Sequence, residues 1–159
     1  MILALDTYAS YLYEHSGKIR AAIYMLLTKE NEPDFHNCAI LIFSRIIKHV
    51  MSSAYEAEIW ALYHGCKSAI PFQTTLEELV HSQERPTKVT TDNSTAHGLT
   101  LDTMVSKSSK SNDMCLRWSK CRGTQQLFSF LWARGYNNRS DYPNEDHSPN
   151  ITHTCTHDM

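Results

Sequence analysis

Thr91-Asp92-Asn93-Ser94-Thr95-Ala96 places an acidic residue where the Val/Thr-rich strand Thr87–Thr91 stops and a helix begins. Two further carboxylates match it by position. One is Glu58, in Ser52-Ser53-Ala54-Tyr55-Glu56-Ala57-Glu58; the other is Asp141, at the end of Trp132-Ala133-Arg134-Gly135-Tyr136-Asn137-Asn138-Arg139-Ser140-Asp141. Carboxylates on a central strand, on a following helix, at a second strand end and at a late helix start are what a two-metal phosphodiester-cleaving centre needs. The member of that set on the first strand is missing here.

Around this corner the chain alternates strand and helix signals. Residues 2–9, 18–28 and 39–50 are dense in β-branched and apolar side chains and read as three strands. The polar, proline-containing stretch 29–34 joins the last two as a hairpin-type link, so the three should form an antiparallel meander. From Ser53 to about residue 70, Ala54, Ala57, Glu58, Ala61, Leu62, Gly65, Cys66 and Ala69 recur at spacings of three and four, the stripe of a sheet-facing helix. Pro71 should interrupt it, with a further turn or two over 75–80. After Thr87–Thr91 come a short helix from Ser94, a polar loop at 106–111 and a helix capped by Asn112 or Asp113, which runs to about Arg122 and is ended by Gly123. The stretch 127–132 is apolar on both alternating faces, as expected of a strand covered on both sides.

A chain of 159 residues, 42% hydrophobic, suffices for one domain, expected over 1–149, with a polar disordered tail over 150–159. No run of 18 apolar residues and no secretory leader is visible, so neither membrane insertion nor secretion is expected. The five cysteines are odd in number and contain no Cys-x-x-Cys pair, which argues for a reducing compartment. The formal net charge is only -2, but Lys107, Lys110, Arg117, Lys120, Arg122, Arg134 and Arg139 stand against Asp113 alone between 104 and 140. Clustered cations are the footprint of phosphate binding, and equally of a solvated helix face.

Four stretches in order resemble the RNase H domain that ends the Pol polyprotein of copia-type retrotransposons. They are Asp6-Thr7-Tyr8-Ala9-Ser10-Tyr11-Leu12, the Glu58 and Asp92 motifs above, and the block from Lys110 to Asp141, in which Trp118, Arg122, Gln125, Phe128, Trp132, Gly135 and Tyr142 also fit. The likeness covers about 3–149. It implies an α/β, RNase H-like fold: a mixed five-stranded sheet, three strands in an antiparallel meander plus two parallel ones, with helices on both faces. It also implies hydrolysis of the RNA strand of RNA-DNA hybrids by two Mg²⁺ ions, held by Glu58, Asp92 and Asp141. Partners implied are hybrid or duplex nucleic acid, contacted by Ser94, Lys107, Lys110, Arg117, Lys120, Arg122 and Arg134, and a reverse transcriptase domain of the same polyprotein. The setting implied is intracellular and cytoplasmic.

The departure is at the first motif, where the family has Asp-Ala-Ser-Tyr-Leu and this chain has Tyr8-Ala9-Ser10-Tyr11-Leu12. Asp6 shares the strand parity of Tyr8 but lies ~6.6 Å behind it, out of reach of the same cation unless a bulge intervenes. Trp60, where the family has a small residue, Cys38, where it has glycine, and Asn144-Glu145-Asp146, where it has a basic pair, depart in the same direction. The chain therefore reads as a degenerate copy, with activity weak or lost. An inactive hybrid-binding module and a remnant without function are the alternatives.

Simpler readings stand beside these. Asp92 could be merely a helix-capping corner, and Glu56 rather than Glu58 could be the site-facing carboxylate. His147, His153, Cys155 and His157 match no closed zinc module. Trp118, Phe128, Phe130 and Trp132 read as core rather than as a base-stacking surface.

Overall fold

A computed structural model of the chain describes residues 2–10, 19–28, 36–48, 51–83, 85–104 and 110–134. Its elements run β1 (Ile2–Ser10), β2 (Ile19–Thr28), β3 (His36–Ile47), α1 (Ala54–Glu78), β4 (Thr87–Thr91), α2 (Ser94–Thr100), α3 (Lys110–Thr124) and β5 (Phe128–Trp132). The sheet order is β3-β2-β1-β4-β5, antiparallel from β3 to β1 and parallel from β1 to β5. The antiparallel meander expected from the sequence is present, and β4 pairs in parallel beside β1.

Alternation along β1 explains why the helices gather where they do. Leu3, Leu5 and Thr7 are fully buried, and they share a face with Val89, Phe128 and Phe130. Onto that face α1 brings Ile59, Leu62, Cys66 and Ala69, α2 brings Ala96 and Leu99, and α3 brings Cys115 and Leu116. Burial pushes the Cys66 thiol far up and the Cys115 thiol up as well, so both behave as small apolar side chains. α1 comes closest to the sheet at Gly65, where an added Cβ would lie 2.9 Å from Thr7 Cγ2 and 3.0 Å from Leu5 Cδ1. The described helices pack on this one face, whereas the resemblance implied helices on both; the segment beyond 134, the 29–34 link and the 150–159 tail lie outside the described residues.

Three sequence expectations are corrected here. Pro71 does not interrupt α1: the helix continues to Glu78 with Pro71 exposed to solvent. Proline removes the N–H that would reach the Lys67 carbonyl, and the strong helix signal on both sides carries the chain through. The Thr74 and Thr75 hydroxyls donate back to the Ile70 and Pro71 carbonyls at 3.2 and 2.9 Å. Pro71→Ala is therefore expected to stabilise the protein by ~1–2 kcal/mol, less than the full helix-interior penalty of ~3 because the turn has already relaxed. A urea unfolding midpoint that stays unchanged or falls would contradict this.

β5 is the second correction. It pairs with β4 alone among the described residues, and while Phe128 and Phe130 point inward, Leu131 and Trp132 are exposed. Apolar character on both faces reflects an edge strand with an exposed end, not a covered one. The third is the start of the third strand, expected at 39 but found at His36, so that Cys38 lies within β3. β3 is the other edge, and it exposes Ile40, Ile42 and Ile46 on one face.

Candidate active site

Glu58 is 2% exposed, four residues into α1. Its Oε1 accepts the Ala9 backbone N–H at 2.7 Å and its Oε2 accepts the Thr91 hydroxyl at 3.2 Å. One carboxylate thus ties α1 to the ends of both β1 and β4. Glu56, the other candidate on this turn, has a different task. Its Oε2 accepts the Ser52 N–H at 2.7 Å, holding the chain just before the helix. Glu58, not Glu56, is the carboxylate that meets the strand ends.

The β4-to-α2 corner is held by Asn93, Thr91 and Trp132. Asn93 caps α2, its Oδ1 accepting the Ala96 N–H at 3.0 Å, and the Asn93 N–H donates to the Thr91 hydroxyl at 3.3 Å. The Trp132 indole N–H donates to the Asp92 carbonyl at 2.9 Å, fastening β5 to the same corner. Asp92 stands one residue before the cap, half-buried, which removes the ground for reading it as the capping group. Thr91, the Ala9 N–H and Trp132 were not legible as partners of this corner. Their roles depend on register between segments remote in sequence.

β1 and β4 pair as Ala4 with Lys88, Leu5 with Val89 and Asp6 with Thr90. The pairing ends there, one residue before β4 itself ends at Thr91. β1 pairs with β2 from Ile2 to Ser10 without a shift, so no bulge carries Asp6 forward. Asp6 is buried one pleat behind, level with Thr90, while Tyr8 is half-buried at the strand end.

These residues do not fit a pair of divalent cations. Mg²⁺ takes oxygen ligands and prefers carboxylates. Here β1 brings the Tyr8 phenol where the motif calls for a carboxylate, and each Glu58 oxygen accepts one protein hydrogen bond. Among the described residues no three His, Cys, Asp or Glu side chains gather into a possible metal site. Asp141 lies outside the described residues.

Of the cations expected to meet phosphate, Arg117 and Arg134 are exposed, and Ser94 is exposed on the first turn of α2. Lys120 is ion-paired with Asp102, and Arg122 donates to Gln125 Oε1 at 2.8 Å while stacking on Trp118. Lys107 and the Lys110 side chain lie outside the described residues. Phe128 and Phe130 are core, Trp118 is half-buried and packs edge-on against Tyr63, and Trp132, expected in the core, is exposed.

No family model matches the chain, and no curated protein matches it by sequence. Solved structures do match. LC11-RNase H1 in complex with an RNA/DNA hybrid aligns over 88% of this chain and 91% of its own, with TM-score 0.62 and 13% identity. The fold is RNase H-like. RNase H1 from the halophilic archaeon Halobacterium salinarum NRC-1 covers 89% and 93% of the two chains at TM-score 0.56 and 14% identity. The prototype foamy virus RNase H domain covers 84% and 79% at TM-score 0.56 and 14% identity. At these identities the likeness establishes the RNase H-like fold alone.

Proposed function

We propose that this chain is a degenerate RNase H domain of a copia-type retrotransposon Pol polyprotein, whose ancestral activity was two-metal hydrolysis of the RNA strand of RNA-DNA hybrids and whose own activity is near background. The observation that carries the reading is that Glu58 ties the ends of β1 and β4, where the motif order puts Tyr8 in place of an aspartate on β1 and Asp92 directly after β4. The fold provides the corner, the motif order supplies the family, and Tyr8 accounts for the loss. A phenol with its proton on at neutral pH brings no charge to offset a divalent pair, and its ring fills the space the ions and their waters need. Each ~1.4 kcal/mol of transition-state stabilisation forfeited is tenfold in rate.

The test is cleavage of a labelled RNA-DNA hybrid in Mg²⁺ by the unmodified chain and by Tyr8→Asp. The unmodified chain should not rise above the no-enzyme control, and Tyr8→Asp should exceed it by at least tenfold. Robust Mg²⁺-dependent cleavage by the unmodified chain would overturn the impaired-site reading.

A second reading, an inactive hybrid-binding module, draws on the exposed cations Arg117 and Arg134 together with the absence of a carboxylate cluster among the described residues. The prototype foamy virus protease-reverse transcriptase aligns over 90% of this chain and 19% of its own at TM-score 0.50. That likeness supports a reverse transcriptase of the same polyprotein as the partner in either reading.

A further inference from the structure

Away from the β1–β4 corner, a row of rings across three elements carries a cation at each end and one along its length. The Arg45 guanidinium of β3 stacks 5.0 Å from the Trp60 ring of α1, and Trp60 stacks on His64 at 3.8 Å. Tyr63 packs edge-on against both His64, at 5.0 Å, and Trp118 of α3, at 5.1 Å. Arg122 closes the row 5.3 Å over Trp118. Lys67 leans over Tyr63 at 5.8 Å from one helical turn on.

The row is cationic because its neighbours bring almost no acid to it. β3 has no carboxylate, α1 has none between Glu58 and Glu77, and α3 has Asp113 alone. Arg45 and Lys67 are exposed, Arg122 half-buried. Each guanidinium is held in place before any ligand arrives. Arg45 lies on Trp60 and its Nη2 donates to His64 Nδ1 at 3.1 Å; Arg122 lies on Trp118 and donates through Nη1 to Gln125. A guanidinium has five N–H donors, so each keeps several for a further acceptor. Ring stacking restricts the side chain while leaving the planar edge, which matches phosphate bidentately, at the rim. The rings themselves are covered by one another and by the cations, so the row offers charge and forked donors rather than free faces for bases.

We propose that this row is a phosphate track for a nucleic-acid duplex, which extends from Arg122, expected from the sequence, across α1 to Lys67 and Arg45, which were not. The proposal rests on the reading that the chain handles nucleic acid.

Fluorescence anisotropy with a labelled RNA-DNA hybrid, titrated across salt, tests it. Neutralising Arg45, Lys67 and Arg122 together, as Arg45→Gln/Lys67→Gln/Arg122→Gln, keeps long polar side chains and removes the charges. Each lost phosphate contact should lower the slope of log K against log salt by ~0.7–0.9, so the triple variant should lose ~2 or more from it. Arg117→Gln/Arg134→Gln serves as the comparison. If that pair lowers the slope while the triple variant does not, the track is wrong and nucleic-acid binding stands. If the unmodified chain shows no salt-dependent binding, both fail. A second measurement needs no variant: acetylation of Lys67 in the unmodified chain should slow severalfold under saturating hybrid, and an unchanged rate overturns the proposal even if the triple variant misfolds.

Discussion

Glu58→Ala is expected to lower stability by about 3 kcal/mol or more, because two charge-assisted hydrogen bonds vanish and the buried partners they satisfied are stranded. Those partners are the Ala9 N–H and the Thr91 hydroxyl, on two different strands. Glu58→Gln should cost under ~1.5 kcal/mol, since an amide oxygen can still accept from Ala9 and an amide N–H can donate to the Thr91 hydroxyl. The contrast separates a structural tie from a cation ligand. A carboxylate held among other carboxylates raises their mutual repulsion, so neutralising it would stabilise the metal-free protein. Urea unfolding of the three proteins, with unchanged m-values, gives the comparison. An alanine variant within ~0.5 kcal/mol of the unmodified chain, or a glutamine variant more stable than it, would refute the tie.

Gly65→Leu is expected to abolish the native fold. The position sits where α1 lies against β1, with Thr7 Cγ2 and Leu5 Cδ1 within 3.0 Å of where even a Cβ would stand. Both of those residues are fully buried and cannot move aside into solvent. Gly65→Ala is the milder version. It gains ~1 kcal/mol of helix propensity and loses ~1–3 kcal/mol to overpacking, so a net loss is expected despite the better helix former. Circular dichroism melts read both. A Gly65→Ala protein that melts above the unmodified chain would show that the helix can retreat from β1 at little cost.

Much of the architecture was legible because it depends on local periodicity. The small-residue stripe from Ala57 to Ala69 named the face of α1, and alternation in 2–9, with Val/Thr density in Thr87–Thr91, named the strands. Pro71 misled because a proline's local penalty was weighed without the helix on both sides of it. Leu131 and Trp132 misled because apolar alternation does not say whether a neighbour lies beyond an edge.

At the candidate site, the sequence singled out Glu58, Asp92 and Tyr8, and the structure ties Glu58 to the ends of β1 and β4. The sequence did not bring out that Thr91 and the Ala9 N–H occupy the Glu58 oxygens, since that follows from a register between strands remote in sequence. The cation-and-ring row was hidden for the same reason. Arg45 and Trp118 become members of one surface only when β3 and α3 are set on either side of α1.

The central position of β1 also shapes how the chain reaches its fold. One contact joining it to β4, from the Thr7 hydroxyl to the Thr90 carbonyl, spans 83 residues of sequence. The meander can close through short loops, but β1 keeps one open edge until β4 arrives, and closing so long a loop costs entropy before any pairing repays it. During synthesis, the half-built sheet therefore waits, with Leu3, Leu5 and Thr7 uncovered on one face until α1 follows and with an unpaired edge until Thr87–Thr91 follows. Commitment to the native topology comes late, and the interval before it is when the chain is most exposed to wrong partners.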